Sequence, residues 1–486
     1  MKNSRKIFGL LGTEYNKKRI MHDFLFLLVA LVTALSLFGV RHDIKRETVT
    51  YKEDELVWQS QYIKQLDALL KGQLHLDVEP SLGLLELDNP YDPVARDASG
   101  AFYLWDHALY EGKYYSYFGA APLLTTYLPV YAVKGELPND ALASLILGIY
   151  AVIFLALAYR EVMLRFAKRV NLWLYLLGFC AVAGVSGIYY GVYIGDIYNI
   201  PLLSAIGCSM AFVFFAFRAM RANGTAARCV LLVFAAISLG LTVMSRPSFA
   251  LMCIAVFPIF IEFLVKSKKE DLKKTLGALV SFIVPLAICA AAVMWYNAAR
   301  FSSPFDFGEK YQLTVSDVSQ NTFEVNFIFS SFYSYFLNPF WYSKETPYFI
   351  MSFNRTLPPD SRYVYGEYYV GAFAFVLPAL AMLYTRYARA DRALGKRDIT
   401  RDAFALLTAL FAFIVAYLDF CKGGTNMRYV FDIIPMLSLL GAVAAMGTCS
   451  RAKGWKKVLG TSLCALAFCA ALASGDILIQ NLKPIV

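Results

Sequence analysis

The stretch ALASLILGIYAVIFLALA, residues 141–158, decides the fold class. It contains no charged side chain and no alternation of polar and apolar residues. A helix of about this length is what a hydrocarbon core of roughly 30 Å requires. We therefore expect residues 141–158 to form a helix that crosses a membrane.

Ten other stretches of the sequence are apolar in the same way, so we predict an all-α polytopic membrane protein with about eleven transmembrane helices. The composition agrees, because 58% of the 486 residues are hydrophobic and only 17% are charged. A soluble domain is normally less apolar and more charged than this. The predicted spans are 24–40, 141–158, 172–194, 198–217, 229–245, 248–265, 275–296, 368–385, 403–418, 429–448 and 458–474.

The basic residues fix the predicted orientation of these spans. Lys and Arg concentrate in short segments on one side of the membrane, whereas most Asp and Glu fall on the other side. Basic short loops stay in the cytoplasm, so we place residues 1–23 inside and residues 475–486 outside. The net charge of +10 is thereby explained by topology, and we expect no nucleic-acid partner. The other basic segments are 160–169, 218–228, 266–274, 386–401 and 451–457.

Two long extracytoplasmic loops, 41–140 and 297–367, separate three groups of spans. The first span stands alone, helices 2–7 occupy 141–296, and helices 8–11 occupy 368–474. Within the first loop, residues 120–133 are apolar but contain two prolines. A span at this point would move every later basic loop outside, so we predict an interfacial or re-entrant segment.

The first loop contains two candidate catalytic carboxylates, Asp92 in NPYDP (89–93) and Asp106 in WDHALYEGKYYSYFG (105–119). Aromatic rings around a carboxylate remove water from it and raise its pKa, as suits a general base that takes a proton from a hydroxyl. The structural alternative is that both aspartates cap turns or helix starts. Arg96 and Tyr117 in the same loop are candidate substrate-binding residues.

Metal ligands are the next possibility for this loop, because three of the four histidines, His42, His75 and His107, lie in it. Their spacing matches no metal motif, so we expect hydrogen-bonded histidines and no certain cofactor. A divalent ion held by loop carboxylates stays an alternative. The nine cysteines contain no CxxC pair, and we interpret them as small core residues.

The second loop begins with NAARFSSPFDFG, residues 297–308, where polar side chains alternate with aromatic rings. Tyr and Trp at a membrane surface are ordinary interfacial residues. Polar groups held beside aromatic faces are also what a sugar or a lipid phosphate needs. The candidate binding residues in this region are Arg300, Tyr311 and Gln312.

Two arginines at the outer ends of spans complete the set of candidates. Arg246 lies in a tight turn between two apolar stretches. A charged side chain there costs free energy unless it pairs with another group or binds a ligand. Arg428 and Asp432 are four residues apart, so they either pair on one helix face or bind a ligand. A guanidinium suits phosphate well, and we expect Arg246 and Arg428 to bind a phosphate or pyrophosphate, with Asp432 beside them.

The motifs NPYDP, WDHALYEGKYYSYFG, NAARFSSPFDFG..YQL (297–313) and RY..D..P (428–435) together resemble the GT-C class of polytopic glycosyltransferases. This class includes protein mannosyltransferases and lipid A aminoarabinose transferases. The resemblance implies transfer of a sugar from a polyprenyl-phosphate donor to a hydroxyl of a glycan, lipid or protein, with inversion, on the outer face. It also implies a first-loop base, for which Asp43 and the acidic run at 53–55 are further choices.

A transporter or flippase for a lipid-linked or small substrate is the rival hypothesis. Such a protein usually has ionisable residues or broken helices at mid-membrane, whereas the charges of this sequence gather at the ends of spans. A polysaccharide polymerase or ligase would have the same distribution of charged residues as a glycosyltransferase, so it stays an alternative.

Overall fold

Long apolar helices form the body of the protein in a computed structural model, which describes residues 17–40, 48–49, 53–167, 170–267, 272–353 and 366–482. Residues 1–16 of the predicted interior segment 1–23, residues 483–486 of the predicted outer segment 475–486, and both His42 and Asp43 lie outside this range. The α-helices are α1 (Lys17–Ser36), α2 (Gln61–Leu70), α3 (Leu82–Leu85), α4 (Pro93–Ser99), α5 (Leu128–Lys134), α6 (Asp140–Phe166), α7 (Leu172–Val185), α8 (Ile188–Ile194), α9 (Asn199–Met220), α10 (Thr225–Ser245), α11 (Pro247–Cys253), α12 (Pro258–Ser267), α13 (Leu272–Phe301), α14 (Phe327–Phe332), α15 (Tyr384–Ala393), α16 (Ile399–Gly423), α17 (Met427–Val430), α18 (Ile434–Arg451) and α19 (Trp455–Leu482).

Nine helices within the described residues are long and apolar enough to cross a membrane, and a tenth is obtained if the bent pair α7 and α8 counts as one span. The prediction of an all-α polytopic membrane protein is confirmed. Four pairs of short antiparallel strands lie outside these helices. They are β1 (Thr48–Val49) with β4 (Leu137–Pro138), β2 (Ala108–Tyr110) with β3 (Lys113–Tyr115), β5 (Trp341–Tyr342) with β6 (Phe349–Ile350), and β7 (Ser352–Phe353) with β8 (Tyr368–Tyr369).

The predicted span 368–385 differs from expectation, because its backbone forms two 3₁₀ segments, Ala372–Phe375 and Ala379–Leu383, and no long α-helix. Gly441 of α18 faces it so closely that a Cβ there would lie 2.1 Å from the carbonyl oxygen of Leu377. Irregular backbone is tolerated at membrane depth where protein covers it. Of the eleven predicted spans, 368–385 therefore has no regular helix, and 172–194 corresponds to the bent pair α7 and α8.

This irregular segment still runs from one end of the helical bundle to the other. At one end the N–H of Gly371 donates to the carbonyl of Asn338 in the second long loop, at 2.7 Å. At the other end the hydroxyl of Tyr387 donates to the carbonyl of Phe166, at the end of α6, at 2.6 Å. The alternation of the loops between the two ends is thus preserved.

The two long loops fold together at one end of the bundle, which we call the loop end. Leu313 of the second loop is fully buried in a small core made otherwise by first-loop side chains. Its N–H donates to the carbonyl of His107 and its carbonyl accepts from the N–H of Asp106, both at 2.9 Å. The two loops therefore form one unit.

The apolar segment at 120–133 stays at the loop end. It begins with a π-helical turn, Leu123–Tyr127, continues as α5 and stops at Gly135, whose φ of 71° is left-handed. Just before it, a Cβ on Gly119 would lie 2.1 Å from the carbonyl oxygen of Met244 in α10. This glycine allows the loop backbone to press directly against the end of a spanning helix.

The opposite end of the bundle, which we call the ion-pair end, is held by arginines that contact carboxylates. Arg401 and Arg451 both donate to the buried Asp391, which joins α16 and α18 through α15. Further pairs at this end are Arg160 with Asp23, Arg165 with Glu262 and Asp398, and Arg221 with Glu161. These bonds connect the ends of α1, α6, α9, α12 and α16.

Candidate functional site

Two adjoining cavities lie at the loop end. The aspartate cavity, which contains Asp106, has a volume of about 610 Å³, and the arginine cavity, which contains Arg246 and Arg300, has a volume of about 440 Å³. Both volumes are typical of small-molecule sites. Residues that line both cavities form a shared wall, and they are Tyr117, Tyr198, Gln312, Lys422, Gly423, Arg428 and Tyr429.

Asp106 is held rigidly at the entry to the β2–β3 hairpin. Its backbone is left-handed, with φ of 53°, a conformation that non-glycine residues rarely adopt. The carbonyl of Asp106 accepts a hydrogen bond from Gln61 Nε2 of α2 at 2.8 Å. Its Oδ2 accepts from the hydroxyl of Tyr198, whereas its buried Oδ1 has no hydrogen-bond partner among the described residues. One oxygen of a fixed carboxylate therefore has no protein partner within the described part of the chain.

The short turn between α8 and α9 supplies Tyr198 and two further polar residues, Asp196 and Asn199, to the aspartate cavity. Asp196 Oδ1 accepts from the N–H groups of Tyr198 and Asn199, at 3.1 and 3.0 Å, and so holds the turn that leads into α9. It also accepts from Asn199 Nδ2 at 2.7 Å. The buried Asn199 Oδ1 has no partner among the described residues.

Arg428 lies in the shared wall. Its guanidinium carbon is 4.4 Å from the ring centre of Tyr198 and 5.3 Å from that of Tyr429. Aromatic faces hold a cation in this way without neutralising it. Among the described residues, no hydrogen bond or ion pair engages its guanidinium. Tyr198 thus contacts both Arg428 and the carboxylate of Asp106.

Arg246 separates α10 from α11 and is bound to a carboxylate. Its Nη2 lies 2.9 Å from Asp432 Oδ2, which also accepts from the hydroxyl of Ser248. Asp419 lies beside this pair, and one oxygen of each aspartate is buried without a hydrogen-bond partner in the described structure. The carboxylate of Asp432 therefore neutralises part of the positive charge of Arg246.

The predicted alternative pairing of Arg428 with Asp432 does not form. The first residue belongs to α17, which ends at Val430, and the second precedes α18, which begins at Ile434. The break between the two helices turns the side chains in different directions. Asp432 consequently pairs with Arg246 across the bundle.

Arg300 ends α13 beneath the first loop and is 4% exposed. It donates to the carbonyl of Ser116 at 2.5 Å and to Asn297 Oδ1 at 3.1 Å, and its guanidinium carbon lies 3.7 Å from the ring centre of Tyr296. No carboxylate pairs with it among the described residues. Arg300 therefore joins the loop to the helix and adds an unneutralised positive charge to the arginine cavity.

Tyr117 and Gln312 line both cavities, as candidate binding residues should. Burial, followed by the charge of Asp106, raises the pKa of Tyr117 well above its ordinary value, so its hydroxyl stays protonated. Gln312 is held in place by a bridge between its backbone and that of Ala108. Both side chains lie between the carboxylate and the arginines.

Asp92, Arg96 and Tyr311 line neither cavity. Asp92 Oδ1 accepts from the N–H of Val94 at 2.9 Å and caps α4, which is the structural alternative expected for an Asp before Pro. Arg96 donates to the carbonyls of Pro90 and Thr314 and so ties the two loops together. Tyr311 packs in an aromatic cluster with its ring centre 4.7 Å from that of Tyr110. The structure does not bring these three residues together with the others.

A metal site is not found within the described residues, because no three His, Cys, Asp or Glu side chains form a group that could hold an ion. His107 Nδ1 is 2.7 Å from the carbonyl of Trp105, to which it must donate. Burial, with the positive charge of Lys64 beside it, lowers the pKa of His107 to about 3. His107 is thus a neutral structural histidine, and no reaction step is assigned to a metal.

Sequence reasoning missed Asp196, Asn199 and Asp419. The turn GDIYN, residues 195–199, is too short to be noticed as a functional loop. An acidic residue between two apolar helices nevertheless indicates a functional site, as Arg246 does. Asp419 is likewise an acid near the end of an apolar run. A search for every charge at the outer end of a span would have found all but Asn199.

Comparisons with known proteins identify two solved structures. No family model and no curated protein matches the sequence. The apo oligosaccharyltransferase of Archaeoglobus fulgidus matches 93% of this chain at 12% identity, with a TM-score of 0.49, and the chain spans 56% of that protein's length. Apo ArnT of Cupriavidus metallidurans matches 96% of this chain and 78% of its own length, at 11% identity and a TM-score of 0.45.

Proposed function

We propose that this protein is a membrane glycosyltransferase that moves a sugar from a polyprenyl-phosphate donor to a hydroxyl of a cell-envelope glycan, lipid or protein, with inversion. One observation supports this proposal above all. An unpartnered carboxylate oxygen of Asp106 and the unpartnered guanidinium of Arg428 are held by the same residue, Tyr198, between two cavities at the loop end. A base and a phosphate-binding cation are the two groups that such a transfer needs.

The arginine cavity suits the lipid-linked donor. Its lining includes the apolar Val243 and Met244 at the end of α10 and Val293 of α13, next to the guanidinium groups. Apolar helix ends beside positive charge match a polyprenyl chain that ends in phosphate. Arg428 is the first candidate for the phosphate because Asp432 already engages Arg246, and Arg300 adds positive charge at longer range.

The aspartate cavity suits the acceptor. Asp106 Oδ1 takes the proton of the acceptor hydroxyl while the hydroxyl oxygen attacks the anomeric carbon. The bond between that carbon and the phosphate oxygen breaks, and the electron pair leaves with the polyprenyl phosphate. Arg428 stabilises the negative charge that develops on the leaving phosphate.

The proposal assigns inversion to the arrangement of the two cavities. An acceptor that enters from the aspartate cavity and a phosphate that departs into the arginine cavity lie on opposite sides of the sugar. Attack from the side opposite the leaving group inverts the configuration at the anomeric carbon. In this proposal the loop end faces away from the cytoplasm, since the short basic segments belong to the other end.

Purified protein in liposomes that contain polyprenyl-phosphate-linked monosaccharides tests the proposal. A panel of donors carrying glucose, mannose, galactose, arabinose or N-acetylglucosamine is incubated with an extract of cell-envelope glycans, and released polyprenyl phosphate is measured by mass spectrometry. We expect the wild type to consume at least one donor and the Asp106→Asn variant to consume none. Equal release by the two proteins would overturn the proposal.

The same liposomes distinguish the rival hypothesis of a transporter or flippase. A flippase would move the intact donor to the other leaflet without releasing polyprenyl phosphate. Chemical labelling of donor on each leaflet measures that movement. Movement without release would therefore replace the proposed function.

A further inference from the structure

We infer that Asp196 and Asn199 form a carbohydrate-binding subsite in the aspartate cavity, so that the acceptor is a glycan. The inference rests on the proposed function, because it specifies the class of the acceptor at that site. The subsite would bind the hydroxyl groups adjacent to the one that reacts at Asp106. Its evidence comes from three oxygen atoms that belong to residues lining the cavity.

The amide of Asn199 is oriented by its neighbour. Its Nδ2 donates to Asp196 Oδ1 at 2.7 Å, so its Oδ1 is the atom left for a ligand. Asn199 is 2% exposed, and this Oδ1 has no hydrogen-bond partner among the described residues. A buried polar atom is normally hydrogen-bonded, which makes an unpartnered one at a cavity wall a site for a donor group.

Only one of the two carboxylate oxygens of Asp196 accepts hydrogen bonds from the described residues. Its Oδ1 accepts three N–H bonds, from the backbone of Tyr198 and from the backbone and side chain of Asn199. Gly195 ends α8 with a left-handed φ of 61° and allows this tight turn. Asp196 Oδ2 accepts no hydrogen bond from the described residues, and it is accessible in the cavity that Asp196 lines.

Asp106 supplies the third oxygen, since its Oδ2 is bound to Tyr198 and its Oδ1 is unpartnered. All three atoms only accept hydrogen bonds as long as the carboxylates are ionised. A sugar offers several neighbouring hydroxyl donors. A peptide brings a carbonyl acceptor with every N–H donor, and those carbonyls would face acceptor oxygens. The donor-rich ligand is the better match.

A cation is the other ligand that oxygen atoms attract, and the charge of the cavity opposes it. Asp106, Asp196 and Glu367 line the cavity together with Lys422 and Arg428, so negative and positive charges nearly balance. The described residues also contain no three-ligand metal group. A neutral polyol needs hydrogen bonds and no excess of charge.

Aromatic side chains add the second feature that a sugar requires. Trp105 and Tyr368 line the same cavity and are 47% and 62% exposed. Exposed aromatic faces stack on the apolar faces of sugar rings. Flat faces next to fixed hydrogen-bond acceptors therefore match a carbohydrate more closely than a phospholipid headgroup.

Binding of methyl glycosides to the full-length protein in lipid nanodiscs tests the inference. The probes are the methyl glycosides of glucose, mannose, galactose, arabinose and N-acetylglucosamine, measured by saturation-transfer NMR. We expect at least one probe to bind, and its dissociation constant to rise tenfold or more in Asn199→Leu. The matched control, Asn326→Leu, makes the same change outside both cavities, at a side chain that makes no capping hydrogen bond, and should shift the constant less than twofold.

A second variant, Asp196→Asn, covers the case in which Asn199→Leu does not fold. The amide oxygen of this variant can still accept the N–H bonds of the turn, whereas its amide nitrogen replaces the acceptor Oδ2 by a donor. The dissociation constant of the same probe should therefore rise tenfold. The inference is overturned if no probe binds, or if both variants bind as the wild type does. It is also overturned if Mn²⁺, measured by electron paramagnetic resonance, binds in place of the glycosides and is lost in Asp196→Asn.

Binding of undecaprenyl phosphate to the same nanodiscs separates this inference from the proposed function. If undecaprenyl phosphate binds and Arg428→Ala weakens it while no glycoside binds, the acceptor is not a glycan but the glycosyltransferase proposal survives. If neither ligand binds, both proposals fail. If both bind at their own residues, both are supported.

Discussion

The two ends of the helical bundle use charged residues in opposite ways. At the ion-pair end, five arginines contact carboxylates that connect separate helices. At the loop end, Asp106, Asn199 and Arg428 each leave a polar atom or charge without a partner among the described residues. Removing one partner of a buried charge pair leaves the other charge buried and uncompensated, whereas an unpaired group at a cavity wall can gain a hydrogen bond from a ligand. Substitutions at the two ends should therefore separate stability from activity.

The largest effect should come from Asp106→Asn. We expect the rate of sugar transfer to fall by roughly 10²–10⁴, the usual contribution of a general base. The free energy of unfolding should not fall, because the amide can keep the bond to Tyr198 and the lost charge had no ionic partner. Transfer in liposomes and thermal unfolding in detergent measure the two quantities. A variant that is less stable and fully active would contradict the difference between the ends.

The ion-pair end should show the reverse pattern in Asp391→Ala. This carboxylate is 2% exposed and accepts from Arg401 and Arg451, so its loss leaves buried positive charge and should cost about 3–5 kcal/mol of unfolding free energy. The control is Asp77→Ala, which removes a half-exposed partner of Lys71 and should cost less than about 1 kcal/mol. Denaturant unfolding of the two variants compares them. The same loss in both would mean that burial does not decide the effect.

Two of the three arginines that line the arginine cavity, Arg428 and Arg246, sharpen the comparison within the loop end. Arg428→Ala should lower the transfer rate by roughly 10²–10³, as for loss of one group that stabilises a transition state, and leave stability unchanged. Arg246→Ala should lower activity and stability together, because Asp432 is 1% exposed and loses its cation. Transfer rates and unfolding temperatures distinguish them. Equal instability in both variants would show that Arg428 is also structural.

Low pH should reduce the free energy of unfolding through His107, which lies at the loop end. Its pKa is lowered to about 3 in the folded state by burial and by Lys64, while the unfolded chain binds a proton near pH 6.5. Stability is thus complete above about pH 6.5 and falls as the pH decreases toward 3. Between pH 7 and 5 the loss should be about 2 kcal/mol. His107→Gln should remove that part of the pH dependence, and an unchanged slope in chemical unfolding would contradict the assignment.

The smallest effect should come from Asp92→Ala. Asp92 caps α4, and removal of such a cap costs about 1 kcal/mol. The transfer rate should stay within about twofold of the wild type, because Asp92 lines neither cavity. A large loss of transfer would make Asp92 the base in place of Asp106.

The helical framework could be predicted because continuous apolar runs leave few alternatives to a membrane helix. The segment 368–385 was the exception, since its 3₁₀ backbone depends on the close approach of Gly441 to Leu377. That contact is between residues far apart in the sequence. Apolarity showed that the segment crosses the bundle but could not show how.

The candidate site was predictable only in part. Residue type pointed to Asp106, Arg246, Arg300 and Arg428, which line the two cavities. Local sequence could not separate Asp106 from Asp92, because the free oxygen of Asp106 depends on Tyr198 from a distant turn. The spacing of Arg428 and Asp432 indicated a shared helix face, but the helix breaks between them.

The shared core of the two long loops has a consequence for the order of synthesis. Membrane proteins are made from the amino terminus, so Asp106 leaves the ribosome long before Leu313, which fixes its backbone. Arg428 emerges later still. A nascent chain can therefore insert most of its helices before the two cavities are complete, so the proposed transfer cannot begin until nearly the whole chain has been made.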